Sequence, residues 1–199
     1  MEAMRIIMDE HRSLEAILSA VRYILGEIGA RRLAPDFALM RALVHYLEAY
    51  PEQSHHPKED RYLFAPLKLR TAEGAAALAT LEREHAESEG RIRSLKRALC
   101  AYAEGAPGGF YGFVDAFEAY RNFYHAHLQL EEREILPLAV RHFTEEDWAA
   151  AAAGFRAGAD PLEGTRDAAR EDEFARIFAK LVAAAPAPVG LGVGPYLED

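Results

Sequence analysis

Apolar residues return every three or four positions along four long stretches of the chain. That is the spacing of a single buried face on an α-helix. The first stretch carries Ile7, Leu14, Leu18, Val21, Leu25 and Ile28, and predicts a helix from about Ala3 to Ile28 that stops near Gly29. The second opens near Pro35 and Asp36, carries Phe37, Met40, Val44 and Leu47, and reaches about Leu69. Pro51 and Pro57 fall inside it and predict a kink or local break near Ser54. The third runs from about Gly74 to Glu104 on Leu78, Leu81, Ser88, Ile92, Leu95, Leu99 and Tyr102, and ends at the breaker run from Gly105 to Gly109. The fourth runs from about Phe110 to His142 on Phe113, Phe117, Tyr120 and Tyr124. Connections this short join antiparallel neighbours. The predicted fold class is therefore all-α: an antiparallel up-down four-helix bundle over residues 1–143.

Beyond the bundle, Thr144 followed by Glu145, Glu146 and Asp147 has the pattern of a capping box, and predicts a short helix through about Phe155. A further helical stretch is expected from about Thr165 to Ala184. Residues 144–185 are thus expected to form a C-terminal helical extension, an accessory lid or a surface for a protein partner or self-association. Residues 186–199, rich in Pro and Gly, are expected to form a flexible tail.

Composition narrows the classes of partner. The chain has 199 residues, half of them apolar, which suits a folded domain with a sizeable core. Its formal net charge is −9, so nucleic acid and anionic lipid are not expected partners. No apolar run approaches the roughly 20 residues of a membrane span. The opening segment from Met1 to Ser13 lacks the layout of a signal peptide, and a cytoplasmic location is expected. Cys100 is the one cysteine; it has no intrachain partner for a disulfide and is expected to be a small buried hydrophobe in the third helix.

The apolar seams are interrupted by chemistry. Where a Leu would be expected, the four helices carry His11, His55, His85 and His127. In the second and fourth, Glu59 and Glu131 follow one turn later. One histidine on such a seam is an ordinary hydrogen-bonded core residue. Four imidazoles and two carboxylates in one apolar interior need a positive charge, because a buried carboxylate is very costly unless paired or metal-bound. With alternating helix direction and a rise of 1.5 Å per residue, all six fall roughly 12–22 Å from the same end of the bundle. Residues four apart project from one face, so each His can hold one cation while its Glu reaches across to a second. Imidazole with carboxylate suits iron, with manganese or zinc as alternatives, and no thiolate is at hand for softer metals.

These residues stand in segments that resemble the bacterial branch of the hemerythrin HHE cation-binding family. The segments are Asp9-Glu10-His11 with Leu14 and Leu18, the run from His55 to Phe64, Glu84-His85, and the run from His127 to Pro137. The second and fourth also resemble each other, and the chain reads as two helix-hairpin repeats. The resemblance spans about residues 3–142. It implies a di-iron site, oxo- or hydroxo-bridged, with His11, His55, His85 and His127 as terminal ligands and Glu59 and Glu131 as bridges. The oxygen-carrying members have a further His one turn after the first on the third helix, where this chain has Glu89. Either Glu89 is an additional ligand or one iron keeps an open position. The fourth helix also has three residues between His and carboxylate, where oxygen carriers have four.

Other residues are weighed beside these. His56 and His125, about 100° around the helix from their neighbours, are expected to face outward or to support a ligand. His45 and His142 are expected to be structural or exposed. Tyr62, Tyr120 and Tyr124 are expected to be core aromatics with satisfied hydroxyls. A ferritin-like reading uses Glu-x-x-His, and Glu52 with His55 and Glu82 with His85 fit that spacing, but the other helices lack it.

The expected function is a non-haem di-iron protein that binds or senses O2, NO or peroxide. The alternatives are an iron-handling or redox detoxification and repair protein using the same site, and a metal-free helical interaction module.

Overall fold

The computed structural model describes residues 1–157. The expected helical stretch near residues 165–184 and the expected tail from residue 186 lie outside the described residues.

Four rods build the bundle. The first is α1 (Glu2–Gly29). The second begins at α2 (Phe37–Tyr50), where the Asp36 carboxylate caps the helix by accepting from the Leu39 amide at 3.0 Å. It continues through α3 (His56–Glu59) to α4 (Ala65–Arg70). The third is α5 (Ala75–Ala103), and the fourth is α6 (Gly109–Leu130) continued by α7 (Leu136–His142). α1 packs beside α2 and α6, and α5 packs beside the same two, so the rods close into a ring of four. Every described element is helical, and the chain is an all-α helical bundle.

The second rod does not break near Ser54. It widens instead into two π turns, Pro51–His55 and Asp60–Phe64, and the fourth rod widens at Glu131–Ile135. Proline accounts for all three. Pro57, Pro66 and Pro137 each stand two residues beyond a π turn. A helical proline donates no amide hydrogen and its ring clashes with the carbonyl four residues back. Inserting one residue relieves that conflict: the amides of His56, Ala65 and Leu136 reach five residues back, to the carbonyls of Pro51, Asp60 and Glu131. The rods stay continuous.

The apolar interior is in two parts. One cluster gathers Leu14, Leu18, Val21, Leu43, Leu47, Ile92, Leu95, Phe113 and Phe117. The other gathers Ile7, Leu63, Phe64, Leu67, Leu78, Leu81, Ile135 and Phe155. In every rod the change from one cluster to the other falls at the histidines, so a polar layer lies between two dry ones.

A last helix, α8 (Glu145–Ala157), starts at the expected capping box. The Thr144 amide donates to Asp147 Oδ2 at 2.9 Å, and the Asp147 amide donates to Thr144 Oγ1 at 3.3 Å. α8 lies against α1 and the Asp60–Phe64 turn. Phe155 is fully buried there, and Gly154 lies so close to the Tyr62 ring that a Cβ would collide with it. Among the described residues, no helix is long and apolar enough to cross a membrane.

Candidate metal centre

The polar layer holds His11 from α1, His55 and Glu59 from the second rod, His85 from α5, and His127 and Glu131 from the fourth. His55 closes the first π turn and Glu131 opens the third. Both carboxylates and His55 are 0 % exposed.

The structure brings all six together. His11 Nε2 lies 3.5 Å from Glu59 Oε1 and 3.5 Å from Glu131 Oε2. His55 Nε2 lies 3.2 Å from Glu59 Oε1, and His127 Nε2 lies 3.3 Å from Glu131 Oε1. His85 Nε2 lies 3.7 Å from Glu59 Oε2, 4.0 Å from Glu131 Oε1 and 3.3 Å from His127 Nε2. Each carboxylate is thus shared between imidazoles from different rods.

The outer nitrogen of each ring has its own acid. His11 Nδ1 pairs with Glu132 at 2.9 Å, His55 Nδ1 with Glu10 at 2.7 Å, His85 Nδ1 with Asp60 at 2.9 Å, and His127 Nδ1 with Glu84 at 2.9 Å. An Nδ1–H that donates to a carboxylate leaves the Nε2 lone pair facing the centre and raises its basicity. The four acids follow one rule. Each is a chain neighbour of a central residue on its own rod: Glu10 of His11, Asp60 of Glu59, Glu84 of His85, Glu132 of Glu131. Each orients the histidine of the next rod, so the pairs close a ring around the bundle. That rotation of about 100° per residue is what carries the neighbouring acid to the adjacent rod. The adjacency was visible in the sequence; the partner across the interface was not. Glu10 is held in turn by Lys58, whose Nζ donates to Glu10 Oε1 at 2.7 Å and lies over the rings of Tyr50 and Phe155.

The electrostatics show what the layer lacks. Burial works against charge on Glu59, yet its carboxyl is held well below the usual range by the adjacent imidazoles of His55 and His11. Burial would also lower the imidazoles, but Glu59 and Glu10 push His55 up to about 10. Glu131 and Glu84 do the same to His127, again to about 10, and the hydrogen bond to Glu132 with the nearby Glu59 and Glu131 carboxylates raises His11. Protons here supply the positive charge that the buried carboxylates demand.

Protons do not complete the bonding. His11 Nε2, His55 Nε2 and both oxygens of Glu59 and of Glu131 are buried without a hydrogen-bond partner. An unpaired buried polar atom costs roughly 1–3 kcal/mol, more when charged. Six such atoms converging on one layer is the pattern a multiply charged cation relieves, and nitrogen with oxygen donors fits iron, manganese or zinc. Two groupings have donor atoms within 4.8 Å of one another: His11, His55, Glu59 and Glu131, and His56, Glu59, His85 and His127. Glu59 belongs to both.

Several expectations need correction. Glu89, weighed as a further ligand, is 79 % exposed and paired with Arg93. The seam residue at that level of α5 is Ser88, whose hydroxyl contacts Glu52 and donates to the His85 carbonyl at 2.7 Å. Of the two placements weighed for His56, outward or supporting a ligand, it does not take the outward one. It is buried, its Nε2 shares a 2.7 Å hydrogen bond with the Tyr124 hydroxyl, and its ring stacks on His85 with centroids 4.1 Å apart. The π turn behind it explains the difference, because the widened turn changes the angular step on which the outward expectation rested. Cys100 is exposed rather than buried, one step round the helix from Leu99.

The remaining residues lie as follows. His125 faces outward beside Glu15, and His45 is exposed near Glu48. His142 is partly buried near Glu73. Tyr120 donates to the Leu47 carbonyl at 3.3 Å, and Tyr62 packs beneath α8. Of the ferritin-type acids, Glu82 pairs with Lys68 at the surface, and Glu52 contacts Ser88 and His56.

The family model described as the hemerythrin HHE cation binding domain matches residues 3–139. Comparison with curated proteins and with solved structures finds no match for the chain.

Proposed function

The chain belongs to the hemerythrin HHE cation-binding family, and from that premise we propose that it is a non-haem di-iron protein that binds or senses O2, NO or peroxide. The observation that supports this most is the set of inward-facing atoms with no hydrogen-bond partner, four carboxylate oxygens and the Nε2 atoms of His11 and His55, in a layer closed above and below by apolar clusters. His11, His55, His85 and His127 are the proposed terminal ligands, and Glu59 and Glu131 the proposed bridges. A pair of iron ions held there would supply a place for a small ligand and a change of oxidation state shared between two centres.

The chain's own residues do the rest. Glu132, Glu10, Asp60 and Glu84 fix each ring and keep its proton on Nδ1. Lys58 compensates the charge of Glu10, the most enclosed of the four acids, so that this carboxylate remains available to His55. Tyr124 orients His56 beside His85. The apolar clusters exclude bulk water from both faces.

A metal-free interaction module leaves these buried atoms unexplained, since an interior without a cation gains by replacing unpartnered carboxylates with apolar side chains. Iron-supplemented expression followed by elemental analysis and optical spectra, with and without O2 and NO, tests the reading. About two irons per chain and ligand-dependent near-UV or visible bands are expected. Protein that carries no transition metal after such expression removes it.

A further inference from the structure

The two groupings of donors are unequal, and the difference falls on His56. On the side of His11 and His55, two imidazoles face the shared carboxylates. On the side of His85 and His127 a third imidazole, that of His56, has a ring nitrogen within 4.8 Å of the donor atoms of Glu59, His85 and His127. We propose that His56 is a ligand of the second cation, making that ion a three-imidazole site fed by three different rods. This rests on the two-cation reading above.

Three independent features carry it. His56 is only 4 % exposed, and its Nδ1 is buried without a hydrogen-bond partner, with Glu52 Oε2 3.4 Å away, much as the inward atoms of His11 and His55 lie beside carboxylates. Its ring is fixed rather than free: Tyr124 holds Nε2, His85 stacks on one face, and His127 meets it edge-on at 5.3 Å between centroids. Such immobilisation puts the entropic cost of ordering the side chain into the fold before any ion arrives. Finally, α5 offers no competitor among the described residues at that level. Glu89 points to solvent, and the Ser88 hydroxyl is engaged with Glu52 and the His85 carbonyl. The second rod therefore contributes consecutive residues to different ions: His55 to one, His56 to the other. The π turn Pro51–His55 is what lets adjacent side chains both face inward, because a regular helix would turn one of them about 100° away.

A consequence is that the ions differ in how they are lost. Replacing His56 by Gln keeps a polar side chain that can still meet Tyr124, and removes one donor from the second ion alone. Wild type and His56→Gln are loaded with Co(II) without oxygen, freed of excess metal, and analysed for bound cobalt and for ligand-field bands. Wild type is expected to retain two ions, and H56Q one, with the second bound at least about ten-fold more weakly. H56Q that keeps both ions at wild-type affinity, or loses both while folded, overturns the proposal. Wild type that never binds two ions overturns the underlying reading instead. Should H56Q not fold, wild type labelled with 15N-histidine and loaded with 113Cd decides. Five cadmium-coupled rings are expected, three of them on one ion; four rings, without His56, overturn the assignment.

Discussion

Glu10 concentrates the chemistry of the site in one side chain. It is buried, it accepts from Lys58 and from His55, and the His55 interactions hold its carboxyl below the usual range against the opposing effect of burial. Glu10→Gln keeps the shape but loses the charge that makes His55 a strong donor. We expect metal affinity to fall about 10–100-fold, measured by competition with a chromophoric chelator; an unchanged affinity would show that Glu10 does not act through His55. The same residues set a proton balance. His55 and His127, each raised to about 10, are protonated in the metal-free fold at neutral pH, whereas a ligating imidazole is not. Loading should release at least about two protons per chain, those of His55 and His127, read as the buffer dependence of the calorimetric heat. The sign follows for both states. In the metal-free protein, raised imidazoles stabilise the fold fully below about pH 6.5, and that contribution fades as pH rises through about 10. Metal binding runs the other way: between those limits it strengthens as pH rises, because fewer protons remain to be displaced.

At the scale of elements, the histidine seams and the helix ends were legible because both depend on local spacing and local caps. Asp36 and the Thr144–Asp147 box act within one turn of their own position. Thr144→Ala is expected to cost about 1 kcal/mol in urea unfolding while metal content stays that of wild type; a fall in bound metal would mean that the α8 start also shapes the centre. The π turns were less legible. Pro51 and Pro57 predict trouble near Ser54, but a proline can be met by a break, a kink or an inserted residue, and neighbouring rods decide which. Here continuous packing on both sides of the layer favours insertion, and the inserted residue brings His56 inward. The outward placement weighed for His56 rested on a regular angular step and the ligand role weighed for Glu89 on a resemblance, and both orientations depend on tertiary packing.

Over the whole molecule, each rod supplies a central histidine and the acid that orients the histidine of the next, from Glu10 to His55, Asp60 to His85, Glu84 to His127 and Glu132 to His11. Two cations bound at the centre would therefore tie all four rods between them, and binding to the folded state alone adds to stability by mass action. Free metal at 100 times the dissociation constant is worth about 2.7 kcal/mol. Removing metal with a chelator should lower the melting temperature by several degrees for a domain of this size, followed by calorimetry at fixed pH. A melting temperature indifferent to chelation would speak against a cation in the polar layer. The sequence by itself determined the all-α class, the four seams, the six central residues and their common depth, since period, spacing and rise per residue are properties of one helix at a time. Only the tertiary structure decided which acid serves which histidine, that Glu89 stands in solvent, and that His56 stands inside. Those outcomes depend on how one rod is rotated against another, and that rotation is set by contacts between residues far apart in the chain.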